Sequence, residues 1–138
     1  MTDHPLSNAA DSTERFNTAA VEMLMRLGDG ALLTRMIDLF IKNAQERIDA
    51  ARAGVANDDR RAIELAAHSL KSSSAQLGGA ALQRASLAVE KSAQTGEPAA
   101  LLEGIDTMQS EFELLKQWLQ QEREKVAARA PAGPPEDA

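Results

Sequence analysis

The 138-residue chain contains no cysteine. Disulfides, iron–sulfur clusters and cysteine-rich zinc sites are therefore excluded, and a reducing compartment suits it. Aromatic side chains make up 3% of the residues, too few to build a base-stacking platform. The two histidines, His4 and His68, cannot furnish a multi-histidine metal site. A surplus of positive charge is also missing. The formal net charge of −6 argues against non-specific nucleic-acid binding, which needs clustered Lys and Arg to displace counterions. It argues, more weakly, against an anionic membrane surface. No apolar run approaches the roughly 20 residues that span a bilayer. The greasiest stretch, 31–41, is interrupted by Thr34, Arg35 and Asp38. The N-terminus has neither the basic start nor the continuous apolar segment of a secretory signal. Together these absences predict a soluble cytoplasmic protein with no nucleic-acid or membrane partner. The length suits one domain with a real core.

What is present is alanine and a repeated spacing of three and four between apolar residues, the signature of helices. Residues 1–11, with His4-Pro5, read as a disordered lead-in, and 129–138 as a disordered Pro/Ala-rich tail. Between them, 12–128 predict an all-α domain, an up-and-down four-helix bundle with an additional short N-terminal helix. Ser12 is placed to cap that first helix, which runs to about Leu27 with Phe16, Ala20, Met23, Leu24 and Leu27 inward. Gly28-Asp29-Gly30 is expected to break it, with Asp29 as the next N-cap. The second helix then spans 31–53, with Leu33, Met36, Ile37, Phe40, Ile41, Ala44, Ile48 and Ala51 as its stripe. Gly54 is placed to end it in a left-handed conformation. Asn57 or Asp58 opens a third helix that stops near Gln76, before Gly78-Gly79. A fourth covers 80–94, with Leu82, Ala85, Val89 and Ala93 inward. Pro98 suits the first turn of the last helix. There Leu101, Ile105, Met108, Phe112, Leu115 and Leu119 alternate steps of four and three. Trp118 is expected to pack near the end of that helix.

One residue in the third helix does not belong to a core stripe. At about 100° per residue, Ile63, Ala66, Leu70 and Leu77 lie roughly 160–220° around from His68. The imidazole therefore falls on the solvated face, with Arg61, Glu64, Lys71, Ser72 and Ala75 around it. Lys71, one turn on, is close enough to pair with an anion carried on the ring. Glu64, one turn back, could orient it. Ser72 and Ala75 are small and leave room for another protein. Leu65, about 60° from His68, is an apolar side chain near the same face and a candidate anchor. Gly78, at the helix end, keeps a side chain out of the way. A neutral imidazole, the main form of a free histidine at pH 7, has a nucleophilic nitrogen that can take a phosphoryl group.

The run His68-Ser69-Leu70-Lys71-Ser72-Ser73-Ser74-Ala75-Gln76-Leu77-Gly78 resembles the signature of histidine-containing phosphotransfer (HPt) domains. That signature is His-x-Leu-Lys-Gly, then small residues, then Gly ten positions after the His. The alanines before His68, Asp58, and Glu90 in the next helix also resemble the family. The likeness extends from about Phe16 to Leu119. Ser72 departs from it, standing where many members have Gly; it is small enough to keep the approach open. The resemblance implies a phosphorelay carrier of two-component signalling. Its partners would be receiver domains of hybrid sensor kinases and response regulators. A receiver aspartyl phosphate would pass its phosphoryl group to His68, at Nε2, and a second receiver would take it onward. Lys71 would stabilise the phosphorylated ring, and Glu64, Leu65, Ser72, Ala75 and Gly78 would form the partner face. The chain itself would need no cofactor, because the receiver supplies the Mg²⁺ and the acidic pocket.

Competing readings are weaker. A helical adaptor that binds receiver or kinase domains without being phosphorylated would use the same face, but would have little need of both His68 and Lys71. An enzyme using His68 as acid or base lacks a second convergent catalytic group. A carboxylate-bridged metal bundle lacks Glu-x-x-His pairs. There is no Walker-type loop or nucleotide lid, so no kinase activity of its own is expected. A monomer is the default, because the apolar stripes satisfy one another within one bundle.

Overall fold

Leu33, Ile37, Phe40, Ala44, Ile48 and Ala51 recur at steps of three and four, and all six are buried. They lie on helix α1, Thr18–Ala56. The computed structural model describes residues 15–129. Three further helices follow: α2, Arg60–Gln76, α3, Ala80–Ser92, and α4, Pro98–Arg129. Each repeats the same logic. Ile63, Ala66, Ala67 and Leu70 turn inward from α2. Leu82 and Val89 do so from α3, and Leu101, Ile105, Met108, Phe112, Leu115 and Leu119 from α4. These side chains form one continuous core, with Phe40 and Phe112 meeting edge to face at 5.9 Å.

α1 packs on α2 and α4, and α3 packs on the same two, so α1 stands opposite α3. Cross-helix contacts give the directions. Asp38 pairs with Arg123, Gln45 with Gln109, and Arg52 with Asp106, so α1 and α4 run antiparallel. Arg47 meets Ser69 at one level of α1 and α2, and Gly54 faces Ile63 at another. The α3–α4 seam runs from Gly79 beside Leu115 to Val89 beside Gly104. Every neighbour in the ring is antiparallel, as short connections require.

The first two expected helices are joined without a gap. Helical structure runs on through Gly28-Asp29-Gly30, from Thr18 to Ala56, but the chain turns back on itself there. Arg15 pairs with Glu111, while Gln45, thirty residues and about 45 Å on along a straight helix, meets Gln109 on the same stretch of α4. Glycine lowers helix propensity by about 1 kcal/mol relative to alanine, and a glycine pair is a common seat of sharp kinks, so the expected break persists as a reversal and the expected short first helix as the N-terminal arm of α1. Here Gly30 permits close approach to α4, since a Cβ would come within 2.9 Å of Val126 Cγ1. The N-cap is Asn17, whose Oδ1 accepts from Ala19 N at 3.0 Å. The proposed cap Ser12, the segment 1–11 and the tail from 130 on lie outside the described residues. The inward set of the first segment also changes. Val21 is buried there, whereas Met23 and Leu27 are exposed. Phe16 stacks on Trp118 with ring centroids 4.8 Å apart. The two rings bind the residues just ahead of α1 to α4, in the packing role expected of Trp118.

The turns differ in detail as well. Gly54 lies inside α1 rather than ending it, and the left-handed residue is Asp58, at φ 53°. Asp59, one residue later than expected, caps α2 by accepting from Ala62 N at 3.1 Å. Arg60 then reaches across to the end of α3 and donates to the carbonyls of Ala93 and Gly96 at 3.1 and 2.8 Å. Helix ends leave such carbonyls without intrahelical partners.

Candidate functional site

The inward turn of Ile63, Ala66, Ala67 and Leu70 leaves His68 pointing out of the α2–α3 seam. Its side chain is 56% exposed. Antiparallel packing sets α3 beside it, and Glu90 Oε2 lies 2.7 Å from the imidazole Nδ1. A carboxylate only accepts, so Nδ1 carries the proton in this contact. In the neutral ring the lone pair then sits on Nε2, which no described residue engages. The other oxygen of the same carboxylate, Oε1, lies 2.8 Å from Lys71 Nζ. One side chain on α3 thus holds two on α2. Glu90 and Lys71 are half-buried, with side chains 19% and 26% exposed. The Lys71 ammonium, against the opposing pull of partial burial and with help from the His68 ring, holds the Glu90 carboxyl below the ordinary carboxylate range.

The expected site residues divide into three groups. Leu65, Ser72 and Ala75 are exposed on the His68 face, and Arg61 stands beside them. Glu64 lies on the same helix but not against the ring. Its Oε1 accepts from Gln94 Nε2 at 2.9 Å, one turn along the seam from the His68–Glu90 contact. The part expected of Glu64, to orient the imidazole, falls to Glu90. The reason is register: α3 brings its carboxylate level with His68, while Glu64 is level with Gln94. Gly78 is not on the face at all. It is buried, with φ +81°, and a Cβ there would come within 2.2 Å of Asn17 O. Its carbonyl accepts from Asn17 N at 2.7 Å. Glycine is needed at this position for the left-handed turn and the close backbone crossing, not for access by a partner.

Ser69 Oγ accepts from Arg47 Nε at 3.1 Å, which brings a cation from α1 to the edge of the same face. No spacing within α2 could have revealed Arg47, or the double duty of Glu90. Among the described residues no group of three His, Asp or Glu side chains is placed to hold a metal ion. No helix there is long and apolar enough to cross a membrane.

The model of the Hpt domain family matches residues 35–125, two thirds of the sequence, and includes His68, Lys71 and Glu90. The chain belongs to the Hpt family. Solved structures share the fold. Histidine-containing phosphotransfer protein B from Pseudomonas aeruginosa PAO1 superposes with a TM-score of 0.74 at 24% identity, over 80% of this chain and 96% of that one. A rice protein assigned as a histidine-containing phosphotransfer protein gives 0.74 at 18% identity, over 88% and 91%. A search of the curated proteins returns no match. Membership places this HPt chain in the class of phosphotransfer carriers of two-component signalling. The all-helical architecture is the one the fold comparisons show.

Proposed function

We propose that this HPt domain carries a phosphoryl group on His68 between receiver domains. The observation that carries the proposal is the anchored ring. Glu90 engages Nδ1 and sets the tautomer, while the side chain stays 56% exposed at the middle of α2 and Nε2 meets no described residue. In the transfer step the Nε2 lone pair attacks the phosphorus of a receiver's aspartyl phosphate. The bond from phosphorus to the aspartate oxygen breaks, and the carboxylate leaves with its electron pair. The Nδ1 proton remains shared with Glu90, so positive charge developing on the ring is met by a carboxylate already in place. The return step to a second receiver reverses these bonds. Lys71 then has two possible anionic partners, Glu90 and the phosphoryl oxygens, and its flexible stem lets it serve both.

The chain contributes the nucleophile and its positioning; the receiver contributes Mg²⁺ and the acidic pocket. It is a carrier rather than an enzyme, and it needs no cofactor of its own. Leu65, Ser72 and Ala75 are the surface a receiver would cover, in a cytoplasmic monomer. The adaptor reading keeps that surface but gives no account of a histidine whose ring is held by one nitrogen and open at the other.

The test is transfer from a receiver loaded with labelled phosphate. Acid-labile, alkali-stable label should appear on the wild-type chain and be absent from His68→Gln. The variant should keep its helical circular dichroism, because the ring is largely outside the core. Tight receiver binding with no label on the wild type would favour the adaptor and overturn the carrier.

A further inference from the structure

Two serines are fully buried, Ser74 on α2 and Ser86 on α3. Ser74 Oγ donates back along its own helix, to Leu70 O at 2.8 Å, as helical serines commonly do. Ser86 Oγ has no partner among the described residues. A native core seldom leaves a buried hydroxyl unpaired, and alanine would fill the same space without the cost. One other buried side-chain oxygen among the described residues is short of hydrogen bonds. It is Glu90 Oε1, whose sole described partner is the Lys71 ammonium at 2.8 Å. Ser86 and Glu90 are four residues apart, on neighbouring turns of one face of α3, a spacing that sets Cβ atoms about 5–6 Å apart. Helical side chains tilt toward the N-terminus, so Glu90 leans back over Ser86. The register agrees. Glu64 meets Gln94, and His68 and Lys71 meet Glu90, so the next turn of α3, at Ser86, lies on the Lys71 side of the carboxylate.

The unpaired hydroxyl gains a use once His68 carries a phosphoryl group. In the free chain Lys71 neutralises Glu90. The phosphoryl oxygens compete for the same ammonium. If it goes to them, Oε1 is left buried with no donor, which costs more than an ordinary hydrogen bond is worth. From this we infer that Ser86 is a positioning residue for the phosphorylated state: when Lys71 turns to the phosphoryl oxygens, Ser86 Oγ–H donates to the Glu90 Oε1 it has left. The hydroxyl is unpaired in the free chain and paired in the loaded one. Glu90 thereby keeps Oε2 on Nδ1 throughout, and Lys71 is released at little cost. The exchange makes and breaks no bond to phosphorus, and Ser86 keeps its proton. The inference rests on the carrier reading above.

The experiment uses the full chain, free and loaded on His68 with phosphoramidate, a small donor whose P–N bond breaks with release of ammonia. Urea midpoints of both forms are taken at pH 8, where phosphohistidine persists, for wild type and Ser86→Ala. The free form of the variant should be at least as stable as wild type, because the lost hydroxyl had no partner. The loaded form should fall by about 0.5–1 M, the loss of a hydrogen bond to a charged acceptor. A hydroxyl that served only the fold would move both forms alike. In a Lys71→Ala background Oε1 lacks the ammonium in both forms. Adding Ser86→Ala there should cost both equally, and the difference between them should vanish. With Lys71 present, parallel shifts of the two forms, or no shift in either, would overturn the inference and leave the carrier standing. A difference that survives Lys71→Ala would overturn it too. If phosphoramidate labels wild type no more than His68→Gln, the carrier reading falls and the inference with it.

Discussion

Two seams of this protein are stitched alike and end up with different chemistry. Along α1–α4, Arg123 holds Asp38, Gln45 holds Gln109, and Arg52 holds Asp106 at 2.8 Å. Along α2–α3, Gln94 holds Glu64, and Lys71 and His68 together hold Glu90. In the first seam each polar group meets a single partner across the seam. In the second, one carboxylate serves two donors, and one of them is a ring with a further nitrogen facing solvent. A reactive group is thus made from an ordinary surface stitch by letting one member keep a free valence.

The sharpest way to break that comparison is to remove the carboxylate. Glu90→Ala should slow phosphoryl acceptance by His68 on the order of tenfold to a hundredfold, because the ring loses its orientation and fixed tautomer. Glu90→Gln, whose amide oxygen can still accept from Nδ1, should recover part of the rate. Single-turnover transfer from a loaded receiver measures both, and equal loss in the two variants would reassign Glu90 to a purely structural part. Lys71→Ala comes next, at about tenfold, felt more by the phosphorylated state than by the free one. The decay of label on His68 is the readout.

A smaller effect separates the seams by pH. The Glu90 carboxyl titrates below its unfolded value, so its contribution to stability is fully present above the ordinary carboxylate pKa of about 4.3. That contribution fades as pH falls through the lowered folded value. Urea midpoints should accordingly drop with acid more steeply for wild type than for Glu90→Gln; parallel curves would refute the coupling. The smallest effect belongs to the closed seam. Arg52→Ala, at an exposed pair, should cost no more than about 0.5 kcal/mol in urea unfolding and leave transfer unchanged.

How far the site was legible depends on where its parts come from. The outward turn of His68 follows from the positions of Ile63, Ala66, Leu70 and Leu77 alone, since a single helix has a fixed angular step. Lys71, Ser72 and Ala75 followed on the same count. The partner of the imidazole did not, because Glu64 and Glu90 are equally plausible until the register of α3 against α2 is known. Gly78 was misassigned for a related reason: its buried crossing with Asn17 joins residues 61 positions apart in the chain.

The same division holds for the fold. Stripes such as Leu33 to Ala51 and Leu101 to Leu119 dictate long amphipathic helices and which of their faces is buried, because burial of apolar surface acts on every turn alike. Gly28-Asp29-Gly30 marks, as the local cost of about 1 kcal/mol per glycine leads one to expect, the point where the chain folds back, and the close approach of Gly30 to Val126 sets that bend against α4. By itself the sequence determined the helices, the core and the exposed histidine, since each needs only near neighbours along the chain. Tertiary structure decided how the N-terminal arm of α1 lies against α4, the exposure of Met23 and Leu27, and the choice of Glu90 over Glu64. Those depend on which residues a folded neighbour brings level, and no periodicity within one helix encodes that.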